Sequence, residues 1–227
     1  MQPLPFTFSS LDTFKNCPSQ FHHKYVLKDV TEVQSPQAAY GDDVHQLFQE
    51  YIEAGGAKPL RPDLKPHQAK LDQLLAKDGI FWCEEKVAFD KRLQPTRYDN
   101  PDRLWRGKAD FRLVDRVEQS ATLVDYKTGK KHDKWAQLAI YALHTFALFP
   151  KVQIVNAQFY WTKDLTTTKK VWGRDDIEGL WLMFAGDLAQ YKQAFKTDTW
   201  QERPSGLCRG WCPVTTCQHW QPKREFR

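Results

Sequence analysis

The apolar positions of the chain change period twice. Leu11, Phe14, Phe21, Tyr25 and Val26 recur at roughly helical spacing behind Ser9 and Ser10, either of which would serve as an N-cap. A second helical pattern runs from about Ala39 to Ala54 and stops at Gly55-Gly56. Three prolines within 57–67 mark a connector, and a short helix is predicted near 68–77. The pattern then shortens to β-type runs, FWCEEKVAFD, LWRGKADFRLVD and ATLVDYKT, parted by turn-forming or polar stretches. AQLAIYALHTFALF returns to helix and breaks at Pro150. VQIVNAQFYWT and KKVWG read as two further strands, and IEGLWLMFAGDLAQYKQAF as a closing helix. This order predicts an α/β fold with a mixed sheet in a single domain, 1–227, without internal repeats. Its parts are N-terminal helices (1–56), a sheet with its helix (80–172), a closing helix (174–200) and a Cys-rich tail (203–227).

Composition narrows the classes. With 227 residues the chain is long enough to bury a core, and 41% hydrophobic against 27% charged residues is a globular balance. Thirty-three Lys and Arg against 28 Asp and Glu leave a net charge of +5, too little for a protein held on nucleic acid by bulk charge. A polyanion must be met by a local patch. No apolar run approaches the ~20 residues of a membrane span. The start, MQPLPFTFSS, lacks the basic and apolar regions of a signal peptide, which makes the cytosol the default compartment.

Five cysteines are an odd number, which argues against a disulfide framework. Three of them, Cys208, Cys212 and Cys217, stand in the tail as C-x3-C-x4-C with Gly and Pro between them. Such spacing lets several thiolates converge on zinc or an iron–sulfur cluster. The set is one ligand short of four, and Cys17, Cys83 or His219 would complete it.

The middle strands carry a second chemistry. Asp110 follows Gly107-Lys108-Ala109 at the start of an apolar run, and 14 residues separate it from Asp125. Asp125 follows the apolar run ATLV and stands two residues before Lys127, so the pair shares one face of a strand. Carboxylates on neighbouring strands suit a hard divalent cation, Mg or Mn. A lysine beside them would orient an attacking water or steady charge on a phosphate.

These residues fall in a recognisable order. GKAD, LVDYKTGK and QLAIY, preceded by SSLDTFKNCPSQFHHKYV, GDDVH and EEKVAFD, resemble the RecB-like branch of the PD-(D/E)XK nuclease superfamily. Within that branch it is similar to phage-encoded and CRISPR-associated iron–sulfur nucleases. The resemblance implies a restriction-endonuclease-like mixed central sheet flanked by helices, with a Cys-rich C-terminal tail. It implies His45, Asp110 and Asp125 as metal ligands, with the Tyr126 carbonyl completing the shell, and Lys127 as the catalytic lysine. Gln137 and Tyr141 fit its Q-x-x-x-Y element, and Glu85 its early acid in a supporting or second metal role, with Glu84 as the neighbouring alternative. In the iron–sulfur members one N-terminal cysteine joins three at the C-terminus. This implies a 4Fe-4S cluster on Cys17, Cys208, Cys212 and Cys217, with zinc as the alternative. The tail departs from the usual C-x2-C-x5-C by shifting the middle cysteine one position. Cys83 fits no motif and is expected to be a core thiol.

Lys130, Lys131 and Lys134 lie directly after the catalytic strand and are candidate phosphate contacts; Arg203, Arg209, Lys223, Arg224 and Arg227 give the tail a second basic run. The expected function is a Mg- or Mn-dependent deoxyribonuclease, an exonuclease in preference to an endonuclease, acting on DNA ends or single strands in the cytoplasm of a bacterium or a phage-infected host. A recombination or replication protein is a candidate partner. The rival expectation is a DNA-binding or partner-binding iron–sulfur or zinc module with little catalysis.

Overall fold

The computed structural model of the protein describes residues 2–32, 34–115, 119–132 and 134–222. The α-helices in chain order are α1 (Phe8–Asn16), α2 (Pro18–Phe21), α3 (Pro36–Glu53), α4 (Gln68–Leu75), α5 (Ala136–Leu148) and α6 (Ile177–Thr197). The strands are β1 (Ile80–Asp90), β2 (Arg103–Asp115), β3 (Ser120–Lys127), β4 (Ile154–Trp161) and β5 (Thr166–Gly173). The chain divides into two compact units, residues 35–183 and residues 1–34 with 184–227. Cys17 and His45 therefore belong to different units. Among the described residues no helix is long and apolar enough to cross a membrane.

In the 35–183 unit the described strands form one sheet in the order β1-β2-β3-β4-β5. β3 and β4 run parallel, joined by the α5 crossover, and the other neighbours are antiparallel. This is the mixed, helix-flanked sheet that the alternation of short strands and helices predicts. Strand alternation gives the sheet two apolar faces. Phe111, Leu113, Val124, Tyr126 and Tyr160 pack with Val44, Phe48, Tyr51 and Ile52 of α3 and Leu71 and Leu74 of α4. The intervening side chain of Arg112 points the other way, to His144 and Thr145 of α5. Helix α5 is buried along most of its length because nearly every position from Leu138 to Phe146 is apolar or internally bonded. α3 starts at Ser35, whose hydroxyl accepts the Ala38 amide, with Pro36 at the first helical position. It ends before Gly55 and Gly56, both at positive φ.

The other unit is built on aromatic edges. Phe14 and Phe21 each meet Tyr191 edge-to-face, and Phe195 meets Trp200 likewise. Thr7, not Ser9 or Ser10, caps α1. Ser10 instead takes the third helical position and completes a reciprocal capping box with Thr7. The helical pattern that continues past Cys17 is broken into α2 and a π-helical stretch, His22–Leu27, closed by Lys28 in the left-handed region.

Candidate active site

Three carboxylates stand in a row across three neighbouring strands. The β1–β2 register pairs Cys83 with Phe111 and Glu85 with Ala109, which leaves Glu84 opposite Asp110. The β2–β3 register ends at Phe111 with Val124, so the next step along both strands sets Asp110 opposite Asp125. Like charges directly across a sheet repel. The protein places cations around the row. His45 of α3 holds Nδ1 at 3.4 Å from Asp110 Oδ2 and 3.5 Å from Glu84 Oε1. Lys108 pairs with Glu84 at one end, and Lys127 Nζ lies 2.5 Å from Asp125 Oδ2 at the other. Asp110 Oδ2 also accepts the Tyr126 amide at 2.7 Å.

Glu84 reaches this row by leaving strand geometry. Its φ is +48°, a left-handed conformation uncommon in a non-glycine residue. Strict alternation would put Trp82 and Glu84 on one face. The turn at Glu84 instead brings Trp82 and Glu85, three apart, to the same partner, Arg112. Glu85, expected as the early acid, is therefore not in the carboxylate row. Its side chain is bound by the buried guanidinium of Arg112, and Glu84 holds the position expected of it.

The remaining expected residues gather as follows. Lys127 donates to Gln137 Oε1 at 2.8 Å and lies over the Phe159 ring, so α5 fixes the lysine from its own side of the sheet. Its carbonyl accepts the Thr162 amide and hydroxyl, which pins the strand end. Tyr141 is one turn from Gln137, yet it reaches the Lys108 carbonyl at 2.8 Å and not a carboxylate. The Tyr126 carbonyl accepts His45 Nε2 at 2.9 Å, which presents Nδ1 to Glu84 and Asp110. Packing leaves no room for a side chain at Gly107 and only tight room at Gly41. A Cβ at Gly107 would stand 2.7 Å from Trp105 and 2.9 Å from the Tyr141 hydroxyl, and one at Gly41 would stand 3.1 Å from the Thr128 hydroxyl.

Electrostatics follow from the crowding. Burial works against a charged His45, but the Asp110 and Glu84 carboxylates outweigh it and raise its pKa to about 10. Burial, then the Asp110 charge, lift Asp125 to about 7 against the opposing pull of Lys127. The buried oxygens of Glu84 and Asp125 are met by the side chains of Lys108, His45 and Lys127 as ion pairs rather than by well-formed hydrogen bonds. Three crowded, buried carboxylates favour positive charge beside them. His45, Glu84 and Asp110 each offer a ligand atom within 4.8 Å of the others, two hard oxygens and an imidazole nitrogen. The donor set fits a divalent cation.

Lys130, Lys131 and Lys134 are exposed in the loop after β3, with Lys131 tied to Asp164 at 3.1 Å. Of the basic tail, Arg203 bonds the Lys15 carbonyl and Gln190, and Arg209 takes part in an isolated bridge with Gln221. Lys223, Arg224 and Arg227 lie outside the described residues.

The four cysteines expected to act together line one cavity of the 1–34/184–227 unit. Cys17 is delivered by the break between α1 and α2, where its thiol accepts the Gln20 amide. Cys208, Cys212 and Cys217 come from the tail, and Glu202 and His219 complete the wall. Burial, and the neighbouring thiols Cys208, Cys17 and Cys217 after it, push the Cys212 thiol up. The chain's two ends are tied beside them by the Ser19 amide to the Gln201 carbonyl, 3.2 Å. Cys83 sits apart, packed against the α3–α4 core cluster.

The PD-(D/E)XK nuclease superfamily matches the chain over residues 5–88 and 77–218. Among solved structures, the crystal structure of SSO0001 is similar at a TM-score of 0.49 and 12% identity, over 94% of this chain and 85% of that one. No curated protein matches the chain in sequence.

Proposed function

Because this chain belongs to the PD-(D/E)XK nuclease superfamily, we propose that it is a Mg- or Mn-dependent deoxyribonuclease of the RecB-like branch, an exonuclease that processes DNA ends in recombination, repair or phage replication. The observation that carries the reading is the row Glu84–Asp110–Asp125 with Lys127 and His45 folded against it. A divalent cation would supply Lewis acidity and activate a water at this row, and Asp110, Glu84 and His45 would hold it, with Asp125 alongside. Lys127, steadied by Gln137, orients the water and meets charge on the phosphate. Lys130, Lys131 and Lys134 take backbone phosphates beyond the scissile one, which makes binding salt-dependent.

Cys17 and the three tail thiols lining one cavity support a 4Fe-4S cluster, with zinc as the alternative. Such a cluster would close a loop of almost the whole chain and stabilise the unit formed by its two ends.

Two experiments test the reading. Labelled linear and circular DNA, single- and double-stranded, is incubated with Mn or Mg, with Lys127→Ala as control. Cleavage of linear DNA alone is expected; cleavage of circles would make the enzyme an endonuclease, and no cleavage of any substrate would leave a binding module. The ultraviolet–visible spectrum of anaerobically purified protein decides the second site. A brown protein that Cys17→Ala turns colourless and poorly soluble is expected, and a colourless wild type containing zinc would overturn the cluster.

A further inference from the structure

The carboxylate row is bracketed by two lysines of different character. Lys127 is mostly enclosed, with 21% of its side chain exposed, and is held by both Asp125 and Gln137. Lys108 lines the pocket beside His45, Glu84 and Asp110, is 55% exposed, and pairs with Glu84, which is itself only 8% exposed. Its backbone is fixed independently of its ammonium, since the Lys108 carbonyl accepts the Tyr141 hydroxyl. The backbone is therefore held, while the ammonium is carried on four rotatable methylenes. The carboxylate it neutralises is one of the three groups whose ligand atoms converge within 4.8 Å.

We propose that Lys108 is a tethered counter-ion, which neutralises Glu84 while the site lacks a divalent cation and is released by that cation to bind a DNA phosphate. The inference rests on the nuclease reading above and adds a substrate-binding residue to it. The reasoning is competition for one carboxylate. Lys108 pairs with Glu84, and a divalent cation held by His45, Glu84 and Asp110 would take the same group, leaving the ammonium less to neutralise there. Asp42 is the other carboxylate beside Lys108, apart from Asp110. The lysine lines one pocket with His45, Glu84 and Asp110. Metal and DNA are thereby coupled through one side chain, and each tightens the other's binding.

The test separates metal from DNA. Mn binding to wild type, Lys108→Met, Lys108→Arg and Glu84→Gln is measured by calorimetry without DNA. Lys108→Met should bind Mn roughly two- to fivefold more tightly, since a partly exposed ion pair no longer competes. Lys108→Arg, which keeps the charge, should resemble wild type, and Glu84→Gln should weaken binding. Oligonucleotide affinity is then read by fluorescence anisotropy against salt, in EDTA and in Ca. In EDTA, wild type and Lys108→Met should bind alike, because Glu84 holds the ammonium. In Ca, Lys108→Met should bind more weakly, with a salt slope smaller by about one. Unchanged or weaker Mn binding in Lys108→Met, or an equal DNA deficit in EDTA and Ca, would overturn the counter-ion role. Mn binding that Glu84→Gln leaves untouched would instead overturn the metal centre itself.

Discussion

Arg112→Met removes the charge that the interior of the sheet is built around. Arg112 has only 2% of its side chain exposed and binds Glu85, His144 Nδ1 at 3.2 Å and Thr145 Oγ1 at 3.5 Å. Its guanidinium also lies 5.3 Å from the Trp82 ring and 5.1 Å from the Phe149 ring. Methionine keeps much of that stem packing, so the loss is chiefly the partner of Glu85, whose carboxylate is 19% exposed. Removing one member of a buried pair costs about 3–5 kcal/mol, because the other charge is left uncompensated. Replacing both by apolar side chains is close to neutral. The double variant Arg112→Met/Glu85→Met should therefore recover most of the loss, with a coupling of about 2–3 kcal/mol in the mutant cycle. Urea unfolding at pH 7.5, followed by circular dichroism, measures all four corners. A pH arm adds a sign. Burial already raises the Glu85 pKa against the lowering by Arg112. Without Arg112 it rises further, so the native state takes up the proton first, and the deficit of the single variant shrinks as pH falls. An Arg112→Met loss below about 1 kcal/mol, or two single losses that simply add, would refute the buried-charge argument.

His144 is buried beside the same guanidinium, and burial followed by the Arg112 charge lowers its pKa to about 3. Its folded pKa lies below the unfolded value, so the unfolded state binds more protons and stability falls as pH drops from about 6.5 toward 3. His144→Gln should flatten that slope relative to wild type in acid denaturation, and an unchanged slope would contradict the assignment. Gly107→Ala should cost about 1–3 kcal/mol by thermal unfolding, since its Cβ would stand 2.7 Å from Trp105 and displace the Tyr141 hydroxyl. A variant as stable as wild type would show that strand β2 can shift to make room.

The pairing of Asp125 with Lys127 was legible because strand alternation is strict where β3 is regular. The apolar run before them marks a buried strand, and the two side chains do meet on one face. The choice between Glu84 and Glu85 was not legible. It depends on a left-handed turn at Glu84, and nothing in EEKV marks that residue for positive φ as a glycine would have done. Arg112 left a faint signal, a charge between Phe111 and Leu113 in an apolar strand, but its partners come from Glu85 and from α5, 32 residues away at His144. In the sequence Lys108 is marked only by its place two residues before Asp110. Its pairing with Glu84 follows from a cross-strand register that local pattern does not contain. The glycines of the GKAD and GDDVH elements acquire their reason only in three dimensions, through Trp105, Tyr141 and Thr128.

The central claim is that Asp110, Asp125 and Lys127 form a metal-dependent phosphodiester-cleaving centre. Single-turnover cleavage of linear DNA in Mn, by wild type and by Asp110→Asn, Asp125→Asn and Lys127→Ala verified as folded, tests it most directly. Wild type is expected to cleave in a reaction that EDTA abolishes and that each substitution slows by about a hundredfold or more, the scale for loss of one preorganised transition-state contact. Wild-type protein that cleaves nothing, or variants that cleave at the wild-type rate, would contradict it.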